Sequence, residues 1–396
     1  MRDKVLICYE ESQIKPVGGS SGYLYNLKEG LKNIKGDIVI EFLPASEKEE
    51  RLSKLRRWYR YLSPEVVKKI QLHRTYKKYK NIVNGKKKDV IQNIEQYKAI
   101  HFHSTIALYR YKEQLEAYSG KVIITSHTPK APHKETIEDV FYGKHKNLEK
   151  LLETVDKYAF ERADYIIFPC EQAEEPYDNT WGDYRCIKEK NKNKYRYILT
   201  GCIQKKSKKT REEVREKYNI SFDKFVVSYV GRHNEVKGYD SLKKMAARIL
   251  NIKDDVFFLI AGKEEPLKGL KSQNWKEAGW INDAESVINA ADVFILPNKE
   301  TYFDLVLLEV LSMGKPVIIS RTGGNKFFEK LNSDGIYVYE SEKEAVDIIL
   351  KMKEKGMEEL ENLGQMNQTI YEKYFTPLIF AQNYIKLLKD ILSKEE

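Results

Sequence analysis

A single carboxylate, Glu309, interrupts an apolar run over residues 305–313 (LVLLEVLSM) whose leucines and valines suit a buried helix. Left unpaired in such a setting it would cost several kcal/mol, so it must face a cleft or meet a partner. That marks a binding site. Upstream, Arg232 and Lys237 share one strand-to-helix loop and are flanked by Gly231 and Gly238. Two cations fixed beside a glycine turn suit a diphosphate leaving group. They offset the charge that develops on the departing oxygen, and a guanidinium grips two phosphate oxygens at once. The same pair also fits a solvated basic loop. Nearer the N-terminus, residues 18–22 (GGSSG) lie between a strand and a helix. Backbone N–H groups and a helix N-terminus there would aim at an anion, although turns of this composition are as often plain loop.

The elements that must hold these residues alternate. Apolar runs at 4–9, 38–43, 99–103, 122–126, 165–168 and 197–199 read as strands, and His127 sits just past the fourth. A lysine-rich stretch at 204–210 has the composition of a linker. Strands then resume at 225–230, 256–260, 276–281, 293–296, 317–320 and 335–339, with Asp283 placed to cap the helix before 293. Gly314 and Pro316 stop the Glu309 helix, and Gly323-Gly324 read as the next turn. Beyond 339 the pattern is helical, broken at Pro377. Alternation in both halves predicts an α/β protein of two doubly wound, Rossmann-like domains. In such domains ligands bind beyond the carboxyl ends of the strands, where every polar cluster noted here lies.

With 396 residues the chain exceeds what one core usually organises. Its four cysteines are widely spaced and show no metal or redox pattern, so reduced thiols in a cytoplasmic protein are expected. No run is long enough to span a membrane, and the N-terminal apolar run is too short for a signal peptide. Charge is uneven. Residues 51–88 hold 14 Lys or Arg against one acid, Glu65, a local +13, so the rest of the chain carries −3 of the net +10. Leu52, Leu55, Trp58, Tyr59 and Leu62 recur at three- and four-residue steps among arginines. An amphipathic basic helix interrupted at Pro64 and lying on an anionic membrane is expected, with a surface helix pair packed on the domain as the alternative. No nucleic-acid motif accompanies the segment, and no nucleic-acid partner is expected.

Taken jointly, these pieces resemble a retaining glycosyltransferase of family 4, with the GT-B fold and of bacterial cell-surface or capsular polysaccharide type. The matching residues are Gly18-Gly19, Gly231-Arg232, Lys237-Gly238, Ala291-Asp292, the stretch from Tyr302 to Glu309, Gly314, Pro316-Val317 and Gly323-Gly324, in the family's order. The resemblance implies an N-terminal acceptor domain (1–204), a C-terminal nucleotide-sugar domain (205–376) and a last helix (377–396) packing back on the first domain. It implies that Arg232 and Lys237 hold the donor diphosphate with help from backbone N–H groups near Gly18 and Gly19. Glu309 would bind the ribose, residues 301–305 (Thr301, Tyr302, Phe303, Asp304, Leu305) the donor sugar and phosphates, and His127 the sugar hydroxyls. His103 would lie on the acceptor side. One departure stands out. The family usually has a glutamate two residues before a Phe-Gly pair, but here the glycine is Asp304 and the glutamate position is Thr301. Glu300 lies one place early, so either Glu300 reaches the sugar or Thr301 and Asp304 recognise it differently.

What the resemblance implies for function is transfer of a sugar, with retention, from a UDP-linked donor to a glycan or polyprenyl-linked acceptor on the cytoplasmic membrane face. No metal or other cofactor is expected, because Arg232 and Lys237 would take a metal's place. The alternatives are a GT-B enzyme acting on a soluble small molecule, and a catalytically weak GT-B partner that stabilises or targets another transferase.

Overall fold

The computed structural model describes residues 2–10, 13–16, 18–44, 62–86, 89–141 and 143–393. It contains two six-stranded sheets, with helices between successive strands except between the strands Val256–Ala261 and Trp275–Gly279. In the first, β1 (Asp3–Tyr9), β2 (Ile38–Pro44), β3 (Ala99–Phe102), β4 (Lys121–Ile124), β5 (Tyr165–Phe168) and β6 (Tyr195–Tyr197) run parallel in the order β2-β1-β3-β4-β5-β6. In the second, β7 (Phe225–Val230), β8 (Val256–Ala261), β9 (Trp275–Gly279), β10 (Val293–Leu296), β11 (Val317–Ser320) and β12 (Ile336–Tyr339) run parallel in the order β12-β11-β10-β7-β8-β9. Helices cover both faces of such sheets, which is why central strands such as β8 (VFFLIA) are apolar without alternation and buried throughout.

Each order contains one point where the chain reverses its direction of travel across the sheet. In the first sheet it lies between β1 and β3, in the second between β7 and β10. The crevice beyond the strand ends opens at such points because successive connections diverge to opposite faces. The loops after β1, β3, β7 and β10 carry Gly19, His103, Lys237 and Asp304 respectively.

The last helix, Pro377–Leu392, begins with the Thr376 hydroxyl accepting from the Ile379 N–H and with proline at its first position, where no N–H is needed. Its buried residues Phe380, Tyr384, Leu388 and Ile391 join Val5, Ile7, Leu24 and Leu27 in a core of the first sheet. The fold is thus a two-domain, Rossmann-like GT-B arrangement with the C-terminal helix on the first domain. Gly30, in the helix Ser20–Leu31, permits that contact, because a Cβ there would lie 1.9 Å from the Pro377 carbonyl oxygen.

Two local features differ from expectation, and the break expected at Pro64 is present. Gly323-Gly324 open a 3-10 helix, Gly323–Leu331, rather than a simple turn. The strand expected at 197–199 ends at Tyr197. Pro64 starts a helix, Pro64–Val83, with Ser63 as its cap, because proline is pre-set for a first helical turn. The expected amphipathic residues Leu52, Leu55, Trp58 and Tyr59 lie outside the described residues. Leu72, Tyr76, Tyr79 and Ile82 of the Pro64–Val83 helix pack with Phe141, Leu148 and Leu152, so this part sits on the domain. No helix among the described residues is long and apolar enough to cross a membrane.

Candidate active site

A cleft of about 540 Å³ opens between the two sets of strand ends. Gly18 and Gly19 form part of its first wall. Gly19 adopts φ 78 at the start of the helix Ser20–Leu31, a backbone shape open to a residue without Cβ, and the first turn's N–H groups follow it. His127 lines the same wall and holds φ 65, rare for a side-chain-bearing residue. Its Nε2 is 2.7 Å from His103 Nδ1, and its ring meets Tyr23 edge-on at 4.6 Å. Behind them His101 is bonded to the Tyr384 hydroxyl at 2.8 Å and the Thr125 hydroxyl at 2.9 Å. Burial lowers His127 and His101 to about 3 and takes His103 well below the ordinary imidazole range, so all three rings are neutral near pH 7.

The opposite wall comes from the second sheet. Arg232 and Lys237 both line the cleft from the loop after β7. The loop is held from below: the Tyr229 hydroxyl donates to the Arg232 carbonyl at 2.8 Å, and the Lys237 N–H donates to Asn234 Oδ1 at 3.0 Å. Gly238 has φ 65, and a Cβ there would fall 1.6 Å from the Pro297 carbonyl. That contact sets the loop after β7 directly against the loop after β10. The consequence is an ion pair: Lys237 Nζ lies 2.5 Å from Asp304 Oδ1, and the Asn298 amide donates to the other carboxylate oxygen. Burial would raise the Asp304 carboxyl, but the Lys237 charge and the hydrogen bonds from Lys237 and Asn298 outweigh it and hold it below the usual range.

Glu309 faces the cleft from the helix Leu305–Ser312 and has found a partner. Lys205, from the segment joining the two sheets, lies 3.2 Å from it and 3.1 Å from Glu285. Burial pushes the Glu309 carboxyl up, and Lys205 opposes that shift. Tyr302, Phe303, Asp304 and Leu305 also line the cleft.

Glu300 and Thr301 are not among its lining residues. Glu300 instead points to Lys130 of the first domain, 3.5 Å away, while Lys130 also pairs with Glu138 at 2.6 Å. Thr301 is 1% exposed, and its carbonyl accepts from the Gly324 N–H at 3.2 Å. The reason is crowding: a Cβ at Gly324 would lie 2.1 Å from the Tyr302 carbonyl, so the Gly323-Gly324 backbone is pressed against this loop. Neither Glu300 nor Thr301, the two residues expected at the sugar, thus lines the cleft in this arrangement. Asp292 likewise stays out of the cleft. It accepts from the Val226 N–H at 2.7 Å and from Arg215 at 2.8 Å, bracing the base of the sheet.

Some cleft residues were not foreseen. Tyr23, Glu135 and the 78% exposed Trp280 line it, and Lys205 reaches it through Glu309. Trp280 follows β9 directly, so its place at a strand's carboxyl end was the available signal. Among the described residues, no three His, Cys, Asp or Glu side chains group as a metal ion requires.

Residues 224–354 match the family model described as glycosyl transferases group 1. A curated relative from Escherichia coli, UDP-Gal:alpha-D-GlcNAc-diphosphoundecaprenol alpha-1,3-galactosyltransferase, is 31% identical over 138 residues, which are 32% of this chain and 36% of that protein. The lipopolysaccharide core biosynthesis glycosyltransferase LpsE of Rhizobium meliloti is 28% identical over 132 residues, 31% of this chain and 38% of that protein. The matches thus span little more than a third of these relatives' length. Whole-chain likeness is found among solved structures. Sucrose-phosphate synthase from Thermosynechococcus elongatus superposes with a TM-score of 0.65 at 17% identity, covering 100% of both chains. Anabaena HepE in complex with UDP-glucose does so at 0.62 and 14% identity, covering 98% of this chain and 99% of that one. At these identities the likeness is one of fold.

Proposed function

We propose that this chain is a retaining glycosyltransferase of family 4 that moves a sugar from a nucleoside-diphosphate donor, UDP-linked, to a lipid-linked glycan in surface-polysaccharide assembly. One observation carries the reading. Two cations, a helix N-terminus and a half-buried glutamate converge on one side of a cleft, with a glycine turn and a neutral histidine on the other. In this reading Arg232 and Lys237 take the diphosphate, Glu309 accepts from the ribose hydroxyls, and the Gly19 turn closes over the phosphates from the acceptor domain. His127 meets the sugar hydroxyls, with His103 behind it.

The reaction breaks the bond between the anomeric carbon and the phosphate oxygen and forms one from an acceptor oxygen to that carbon on the same face. The electron pair of the broken bond stays on the phosphate, and the acceptor's proton ends on the leaving diphosphate. Positioning and electrostatic stabilisation of that group supply the catalysis, without a protein nucleophile or a metal. The donor is tested by thermal shift and calorimetry with a panel of nucleoside diphosphates and their sugars, since a ligand specific to the folded state raises its stability. Failure of every member to bind removes the reading. Full turnover in EDTA supports metal independence, whereas loss restored by Mg²⁺ or Mn²⁺ ends it.

Support for the acceptor comes from the basic segment 51–88 and from the acceptor named for the E. coli relative, a diphosphoundecaprenol-linked sugar. A peripheral place on an anionic membrane face follows from it. Sedimentation with anionic vesicles, before and after changing Arg56, Arg57 and Arg60 to glutamate, tests the segment, and unchanged binding discards it. A second reading, a catalytically weak GT-B partner, draws on the Lys237–Asp304 pair, which occupies a cation the diphosphate would need. Donor hydrolysis or transfer by the purified chain alone dismisses that second reading.

A further inference from the structure

We propose that Asp304 is a specificity-determining residue of the donor site: its carboxylate takes the place of a phosphate on Lys237 and sets the cleft against the extra charge of a released nucleoside diphosphate. The inference rests on the donor reading above and goes beyond it. Lys237 Nζ is 2.5 Å from Asp304 Oδ1, a contact that a phosphate oxygen would make in the same geometry. The carboxylate is not a loose surface group. Its second oxygen accepts from Asn298, itself 2% exposed, and both members of the ion pair are largely sheltered. Asp304 also stands at the N-terminus of the eight-residue helix Leu305–Ser312, the end that favours an anion. One anion thus already pairs with the lysine and sits at the helix end before any donor arrives.

A nucleotide sugar brings two negative charges on its diphosphate. Once the sugar has left, the terminal phosphate is a monoester and ionises further near neutral pH. To engage Lys237, either ligand must displace or share the Asp304 carboxylate, and the more highly charged product meets the larger repulsion. The residue thus weakens retention of the product more than capture of the donor. That favours release in an enzyme whose leaving group is held by fixed cations rather than by a metal that departs with it.

The test uses the full chain and calorimetry with UDP, its β-methyl ester, which keeps two charges as the donor does, and uridine, which carries none, with ADP and GDP as alternative diphosphates. Asp304→Asn keeps the shape and removes the charge. Asp304→Gly removes both and serves if the asparagine variant misfolds, since the backbone there is ordinary (φ −80, ψ 120). We expect UDP to bind about tenfold tighter to both variants, the methyl ester to gain less, and uridine to be unchanged. Unchanged or weaker UDP binding by folded variants overturns the proposal and leaves Asp304 as a clamp for Lys237. Equal gains for UDP and its methyl ester overturn the discrimination. If the wild type and both variants, all folded, bind none of UDP, ADP or GDP, the donor reading fails and takes this one with it. Binding by the variants alone supports both.

Discussion

His103 Nδ1 lies 2.7 Å from His127 Nε2, with the two rings stacked at 14°, so one imidazole holds the other. A single proton sits between these nitrogens, and whichever ring carries it fixes whether His127 Nδ1 offers a donor or an acceptor to a ligand. His103 Nε2 is buried without a partner. His103 is thus a positioning residue for His127. We expect His103→Ala to lower kcat/KM for sugar transfer by about tenfold, the order of one well-placed hydrogen bond, while UDP binding is unchanged. Calorimetry beside steady-state kinetics checks the split. Equal loss in both would mean that the substitution merely loosens the wall.

The same cluster ties stability to pH. His101 and His127 are neutral down to about 3 in the fold, and burial depresses His103 as well, whereas an unfolded histidine gains its proton near 6.5. Below about 6.5 the unfolded chain therefore binds more protons than the native one, and stability falls as pH falls. We expect Tm to drop between about pH 7 and pH 5, the window in which unfolded histidines gain their protons. His101→Gln combined with His103→Gln should flatten that slope. A slope unaltered by the double substitution would place the pH dependence elsewhere.

For Glu309 the expected signature is loss of ligand with retention of fold. Lys205 keeps Glu285 as a partner at 3.1 Å when Glu309 is removed. Glu309→Ala should weaken UDP binding by roughly 10- to 100-fold, in line with hydrogen bonds to a charged acceptor, with little change in Tm. Glu300→Ala should be nearly silent for UDP, because Glu300 turns to Lys130 across the domains.

Arg232 and Lys237 should separate binding from turnover. Removing a fixed positive charge from a leaving group costs on the order of 10²–10³ in kcat, as it does for a lost oxyanion donor. We expect Arg232→Ala to lose kcat in that range and KM to change far less. A pure KM effect would assign the guanidinium to ground-state binding.

Gly30 offers a test of the returning helix. A Cβ there would overlap the Pro377 carbonyl at 1.9 Å, so Gly30→Ala must push the C-terminal helix off its seat. Limited proteolysis should then cleave near residue 376, and Tm should fall by several degrees, on the scale of a 1–3 kcal/mol overpacking cost. Resistance equal to wild type would show that the helix finds another fit.

The architecture and the address of the cleft were legible in the sequence because both rest on local patterns. Unbroken apolar runs mark strands buried on two faces, and the Asp283 cap, Gly314 and Pro377 punctuate the helices. Glu309 stood out because a carboxylate among leucines demands a partner. What that partner would be was not legible, since Lys205 lies over a hundred residues away. The pairing of Lys237 with Asp304 is of the same kind: it exists because Gly238 lets the loop after β7 press against Pro297. Sequence spacing carries no record of that approach. Glu300 and Thr301 show the limit most clearly. Their register relative to Glu309 suggested a sugar contact, but the backbone pressed by Gly323-Gly324 turns one toward Lys130 and buries the other. The sequence by itself determined which strands form and which loops they carry to the cleft. Only the tertiary structure decided which side chains on those loops face it, because facing depends on close approaches between segments distant in the chain.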